Sequence, residues 1–222
     1  MNTFKSIAGA LLLAIVSSGV ANADDSELGI GIKAGTLGLG IEGRWSGLPY
    51  MDLRLGANAY NLNADGREAN ILYDGEVDLE TYYLTANFHF PLSPFRLTVG
   101  AFSNGNEVNL VGAEPTSYDF AGGQSLTPAQ VGTLTSTTSF ASTAPYVGLG
   151  FDFELFGKAG LNFDLGVLLQ GDPDVTLVAV GGTAEGTALL NDALDAERQE
   201  LEDDMSDFKA YPVISLSFVY NF

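Results

Sequence analysis

The chain has 222 residues, a formal net charge of −19, 27 glycines, 11% aromatic residues and no cysteine. Such acidity argues against nucleic acid and against direct binding to anionic lipid head groups, and the lack of cysteine excludes a disulfide scaffold and any thiolate metal site. Abundant glycine and aromatic side chains favour many strands and tight turns over helices.

Near the N-terminus Lys5 precedes an apolar run from Ile7 to Val16, followed by Ser17, Ser18, Gly19 and the small-residue close Ala21-Asn22-Ala23. A positive n-region, a short apolar core and an A-x-A cleavage site predict a secretory signal peptide over 1–23. The run is too short to cross a bilayer as a helix. Residues 24–222 are then a single domain. No other segment offers eighteen consecutive apolar residues, so that domain is either soluble or a β-barrel.

Eight segments alternate apolar and polar with the period of a strand. The first, 26–34, turns Leu28, Ile30 and Ile32 to one side, called outward here, and Lys33 inward. The second, 37–46, sends Leu37, Leu39, Ile41 and Trp45 outward against Glu42 and Arg44. In the third, 50–62, Met51, Leu53 and Leu55 oppose Asp52, Arg54 and Tyr60. The fourth places Tyr82, Leu84, Phe88 and Phe90 outward and Tyr83, Asn87 and His89 inward, with a bulge or an exit from the bilayer expected over 76–80. The fifth, 95–107, opposes Phe95, Leu97 and Val99 to Arg96, Thr98 and Phe102. In the sixth, 143–156, Val147, Leu149, Phe151 and Phe153 face away from Tyr146, Asp152 and Glu154. The seventh starts near Ala159, sets Leu161, Phe163 and Leu165 against Asn162 and Asp164, and continues weakly through Val175, Leu177 and Ala179. The eighth is the C-terminal strand.

The connections fall into two classes. Tight turns marked by Gly47-Leu48-Pro49, Pro91-Leu92-Ser93-Pro94 and Gly157-Lys158 follow the second, fourth and sixth segments, while long loops follow the third, fifth and seventh. Trp45, Tyr50, Phe88, Phe90, Phe95, Phe153, Phe163, Tyr220 and Phe222 collect at the short-turn end, as an interfacial girdle does.

On the closing strand Pro212, Ile214, Leu216, Phe218, Tyr220 and Phe222 share one face, and Val213, Ser215, Ser217, Val219 and Asn221 the other. A terminal Phe222 with Tyr220 and Phe218 two and four residues before it resembles the closing strand of Gram-negative outer-membrane β-barrels. The resemblance implies that these three residues are the signal read by the barrel-assembly machinery. It also implies a location in the outer membrane among its lipids and lipopolysaccharide. The expected fold is all-β: an eight-stranded antiparallel up-and-down transmembrane β-barrel, with long loops on one side and an amphipathic helix in the last loop. A monomer is expected, and no surface ligand is specified.

Alternation also sorts the charges. Lys33, Arg44, Arg54 and Arg96 point inward together with Glu42, Asp52, Asp152, Glu154 and Asp164, a near balance. Buried charges persist only when paired, and an eight-stranded lumen is just wide enough for side chains to fill. The expectation is a salt-bridged, largely closed lumen, with inward glycines making room for Tyr60, Tyr83, Phe102 and Tyr146. That interior resembles the OmpA membrane domain and the OmpX/Ail type, which implies a structural or cell-surface interaction role. A narrow channel of OmpW type for small, apolar molecules is the alternative, and a lipid-modifying enzyme the second.

Other motifs carry less. Gly38-Leu39-Gly40-Ile41-Glu42-Gly43 matches a dinucleotide fingerprint, but it runs on as strand instead of opening a helix. His89 is the single histidine and is expected inward at the short-turn end, with Ser93 left in the turn. Thr127-Pro128-Ala129-Gln130 has the cap, proline and glutamine of a short helix start. Residues 187–208 read as an amphipathic helix with Leu190, Leu194, Leu201, Met205 and Phe208 on one stripe and acids elsewhere. Asp172-Pro173-Asp174 lacks EF-hand spacing. No catalytic, cofactor or metal residue is assigned.

Overall fold

The computed structural model describes residues 28–68, 71–113 and 117–222. The expected signal peptide over 1–23 lies outside them. Thirteen strands form: β1 (Leu28–Gly35), β2 (Gly38–Leu48), β3 (Met51–Glu68), β4 (Ile71–His89), β5 (Phe95–Asn104), β6 (Glu107–Ala113), β7 (Tyr118–Asp119), β8 (Ser125–Leu126), β9 (Gly132–Ser139), β10 (Thr143–Phe156), β11 (Ala159–Leu169), β12 (Asp174–Gly181) and β13 (Ala210–Asn221). Among the described residues two helices, α1 (Pro128–Val131) and α2 (Ala188–Asp204), join them, and a 3₁₀ turn (Met205–Lys209) leads into β13.

Eight of these strands close a barrel. Antiparallel pairs run β1–β2–β3–β4–β5–β10–β11–β13, and β13 returns to β1 with Ile32 opposite Phe218 and Ala34 opposite Leu216. Closure leaves no free edge within the barrel. The expected fold class holds. So does the asymmetry of connections, with tight turns at one end and the long segments at the other.

The outward face is apolar all round. Ile32 and Leu39 are each 65% exposed, Leu84 57% and Leu216 52%, figures normally found for surface polar residues. Across the wall the inward residues Glu42, Asp52, Arg54, Arg96 and Asp164 are buried. The distribution is that of a soluble protein turned inside out.

Above the rim the structure departs from the expected loops. β3 and β4 do not stop at the barrel: they continue as one hairpin in unbroken register from Met51 opposite Phe88 to Glu68 opposite Ile71. Over 76–80 the alternative of a bulge fails, because the β3–β4 register runs through without a shift, and the alternative of an exit fits, because β4 leaves the barrel wall there and changes partner. The lower half of β4 pairs with β5 and its upper half, Leu72–Asp78, with β6. β9 adds to β6 and β12 to β9, so the barrel sheet continues upward through β3 and β4 into an upper sheet region of β3, β4, β6, β9 and β12 that stands on the barrel. The fifth strand ends at Asn104 rather than running to 107. The seventh ends at Leu169, because Gly171 takes a left-handed φ of 76° and Pro173 follows. Val175, Leu177 and Ala179 therefore belong to β12 in the upper sheet, and do not extend β11.

Two inward–outward assignments also change. Leu37 was expected outward, but it sits in the turn between β1 and β2 and folds over the lumen against Tyr83, Phe102, Tyr146, Leu168 and Val213. A turn residue is not bound by strand parity. Tyr60 was expected in the lumen, yet it lies above the rim on the exposed part of β3.

The upper sheet has its own core. Tyr118, Phe120, Leu126, Val131, Ala179, Ala184, Leu190 and Ala193 pack together, with Leu134 and Leu194 at the margin. Thr187 caps α2, its side chain accepting from the backbone N–H of Leu190, and α1 starts with a capping box between Thr127 and Gln130. Of the stripe expected on residues 187–208, Leu190 is fully buried and Leu194 packs beside it, whereas Phe208 stays exposed. Glu197 Oε2 accepts from the Ala121 backbone N–H at 2.8 Å and fastens the helix to the preceding loop.

Candidate functional site

The lumen is built in layers, each set by strand parity. At the short-turn end β2 and β3 bring Glu42, Arg44, Asp52 and Arg54 inward, β4 and β5 add Asn87, His89 and Arg96, and β10 and β11 add Asp152, Asn162 and Asp164. β1 places Lys33 just above.

The charges join into one lattice. Arg44 Nη2 lies 2.8 Å from Asp52 Oδ2, and Arg54 Nε lies 3.3 Å from Asp52 Oδ1. Arg54 also reaches Glu42 at 3.8 Å and Asp152 at 3.6 Å. Arg96 donates to Asp152 at 2.9 and 3.1 Å and to Asp164. Lys33 Nζ stands 3.7 Å from Glu42 and 3.8 Å from Asp164, over the ring of Tyr83. Four cations thus face four carboxylates. The balance matters, because an unmatched buried charge costs far more than a matched one.

Neutral polar groups complete the lattice. Asn87 donates to Asp52 at 2.6 Å and accepts from Arg96 at 2.8 Å, and Thr98 accepts from Arg96 at 2.6 Å. Tyr83 donates its phenol to Glu42 at 2.8 Å. With its amide oriented oxygen toward Arg54, Asn162 accepts from that guanidinium at 3.2 and 3.3 Å and donates to Asp152 at 3.0 Å. Asn87, Thr98 and Asn162 are not among the charges that alternation singles out, though their inward parity is the signal that points to them. His89 joins too: Nε2 is 2.6 Å from Asp52 and Nδ1 3.5 Å from Asp152.

Eight of the nine expected lumen charges therefore meet. Glu154 does not. It is exposed beyond the lattice near the end of β10, where the register with β11 shifts between Glu154 and Phe156, and it pairs with no cation among the described residues.

Above the lattice lies an aromatic layer. Tyr83 stacks on Phe102 at 5.0 Å between ring centroids, and Phe102 meets Tyr146 at 5.2 Å. Leu37, Leu168 and Val213 close around them. A further layer of amides covers these, with Asn104 donating to Gln170 and Gln170 to the carbonyl of Phe208. Inward glycines make the layers possible: a Cβ on Gly56 would overlap the Tyr83 phenol, and one on Gly148 or Gly166 the Tyr146 phenol.

The remaining motifs resolve simply. Gly38 to Gly43 is part of β2, paired on both sides, with no helix to receive a pyrophosphate. Ser93 accepts from the Phe95 backbone N–H, and His89 contacts carboxylates rather than any hydroxyl among the described residues. Asp172 pairs with Lys209 at 2.5 Å.

Phe218, Tyr220 and Phe222 all face outward on β13 or just past its end, and the rings of Tyr220 and Phe222 meet edge to face at 5.8 Å.

No family model and no curated protein matches the chain. Solved structures do match it. CarO2 of Acinetobacter baumannii shares 21% identity over 90% of this chain and 100% of its own, with a TM-score of 0.59. CarO of the same organism shares 23% over 87% of this chain and 97% of its own, with a TM-score of 0.57. At such identities the likeness is one of fold, that of a closed β-barrel.

Proposed function

We propose that this chain is an outer-membrane β-barrel whose lumen is held shut by ion pairs, and that it serves a structural or surface-interaction role through the sheet-and-helix head on its loop side. One observation carries the reading: an unbroken apolar outer wall encloses a charge-balanced, hydrogen-bonded interior. Water is a poor solvent for that wall, whereas hydrocarbon suits it. The strand lengths support it, because a tilted crossing needs about 9–11 residues, and β5, β11 and β13 have 10, 11 and 12.

The short turns then face the periplasm and the head faces outside, with lipopolysaccharide around the upper wall. Phe218, Tyr220 and Phe222 are the segment offered to the assembly machinery. The chain acts as a monomer anchored by its barrel.

Purified protein tests the reading. It requires detergent for solubility, migrates differently on gels before and after boiling, and is silent in planar bilayers. Solubility in plain buffer with identical migration removes the membrane assignment. A steady single-channel conductance replaces the closed lumen with the narrow-channel reading.

A further inference from the structure

Between the ion-pair lattice and the aromatic layer the lumen leaves a cavity of about 20 Å³, measured as room for the centres of water molecules. One water needs roughly 10–15 Å³ of such space. Its lining includes Lys33, Asp164 and Ser215 together with the aromatic side chains Tyr83, Phe102 and Tyr146.

Two wall atoms, Asp164 Oδ2 and Ser215 Oγ, are shut off from solvent without a hydrogen-bond partner in the protein, and their residues are 4% and 5% exposed. A buried acceptor without a donor costs on the order of 1–3 kcal/mol, and more when charged. Lys33 does not supply the bond to Asp164, because 3.8 Å is beyond hydrogen-bond reach. A polar pair at that separation, beside a cavity of this size, is the geometry of a bridging water. Ser217, the next inward position along β13, also has an unpartnered hydroxyl but lies outside the lining of this cavity.

We propose that this chamber is a built water site in which a water bridges Lys33 Nζ, Asp164 Oδ2 and Ser215 Oγ, sealed by Phe102 and its aromatic neighbours toward the head and by the Arg54 and Arg96 ion pairs toward the short turns. The lumen is then two closures in series around a hydrated stop. Opening one does not open a path. The two-seal part rests on the closed-lumen reading above, whereas the water site stands on the cavity and its unpartnered atoms.

Two measurements on the full barrel in detergent decide it. A crystal structure fine enough to show ordered water places a peak within hydrogen-bond distance of both Asp164 Oδ2 and Ser215 Oγ. A dry cavity with these two groups turned onto protein partners overturns the site.

The chain has no cysteine, so Ser215→Cys gives a single reporter thiol, read with methyl methanethiosulfonate as the probe. It reacts roughly tenfold or more slowly than Asn191→Cys on the exposed face of α2, since each ~1.4 kcal/mol needed to open a seal costs a factor of ten. Adding Phe102→Ala restores most of the rate while planar-bilayer recordings stay silent, because the lower seal holds. Equal rates for Ser215→Cys and Asn191→Cys overturn the chamber, and conductance from Phe102→Ala alone overturns the second seal. Boil-dependent gel migration checks that each variant is folded, and Phe102→Leu replaces Phe102→Ala if that variant fails the check. Failure of the membrane reading is seen separately, as solubility without detergent, and leaves the water result standing.

Discussion

Gly150 lies directly opposite Arg96 in the register of β5 and β10, and a Cβ on Gly150 would overlap the guanidinium carbon. The guanidinium has nowhere to go, held as it is by Asn87, Thr98, Asp152 and Asp164. Gly150→Ala therefore forces the lattice apart and costs about 1–3 kcal/mol, the range for overpacking. Gly43→Ala is the control, because a Cβ there meets only the Leu55 carbonyl oxygen, at 3.9 Å. Urea unfolding in lipid vesicles compares the two. Equal midpoints for both variants would mean that Arg96 is free to move.

Removing Arg96 tests the lattice as a charge balance. Arg96→Met takes the nearest cation from Asp152 and Asp164, leaving them only the longer contacts to Arg54 and Lys33, and breaking one side of a buried pair costs about 3–5 kcal/mol. Adding Asp164→Asn relieves one of the two under-paired charges. The double variant should then recover part of the loss, with a coupling of roughly 0.5–3 kcal/mol between sites in contact. Strict additivity in that cycle would show that the two residues do not share one network.

The outer wall makes a different demand. Leu149 is 48% exposed at mid-height on β10, opposite Leu97 and Leu165. If hydrocarbon covers it, Leu149→Arg costs about 2–4 kcal/mol, the depth-dependent figure for the middle of a bilayer. Val178 is exposed to a similar degree, 46%, but on β12 in the head. There Val178→Arg stays within about 0.5 kcal/mol, as surface changes do. Folding free energies measured in vesicles separate the cases, and similar small effects at both positions would place Leu149 in water.

What the sequence made legible was whatever lies between two different surroundings. β13 reads correctly from Pro212 to Phe222 because outward, apolar residues and lumen-side residues alternate without exception. The same parity places on the inner face the eight charges that meet in the lumen. It fails where both faces see similar surroundings. β9, Gly132–Ser139, is nearly all Thr and Ser, so its place between β6 and β12 leaves no periodic trace. β12 does alternate, and for that reason it reads as more of β11, although Gly171 and Pro173 intervene. Leu37 and Glu154 are misplaced for a related reason: one occupies a turn and the other lies past the lattice beside a register shift, where period two no longer applies.

The head also carries a pH signature. Burial of Tyr118 raises its phenol above the ordinary value of 10.0, and its hydroxyl donates to the Gly132 carbonyl at 3.3 Å. A raised folded-state value means that the stabilisation is fully present below pH 10.0 and is lost as pH climbs through the higher value. Alkaline titration of tyrosinate absorbance, compared between the parent chain and Tyr118→Phe, isolates this phenol. A Tyr118 signal complete at or below the ordinary value would contradict its burial.

Head and barrel have separate cores, so they should fail separately. Leu190 is 1% exposed and packs with Tyr118, Phe120, Leu126, Val131 and Ala179, none of which lines the lumen. Leu190→Ala removes its side chain from that core at a cost of about 2–5 kcal/mol. The cost falls on the sheet of β6, β9 and β12 and on α2, because regions with their own contacts open with their own free energies. Limited proteolysis of the variant should cut within residues 185–208, where the parent chain resists. The boil-dependent shift that reports the closed barrel stays at the parent temperature. If that temperature fell in step with the new cleavage, head and barrel would be one cooperative unit, and the helix would be part of what holds the lumen shut.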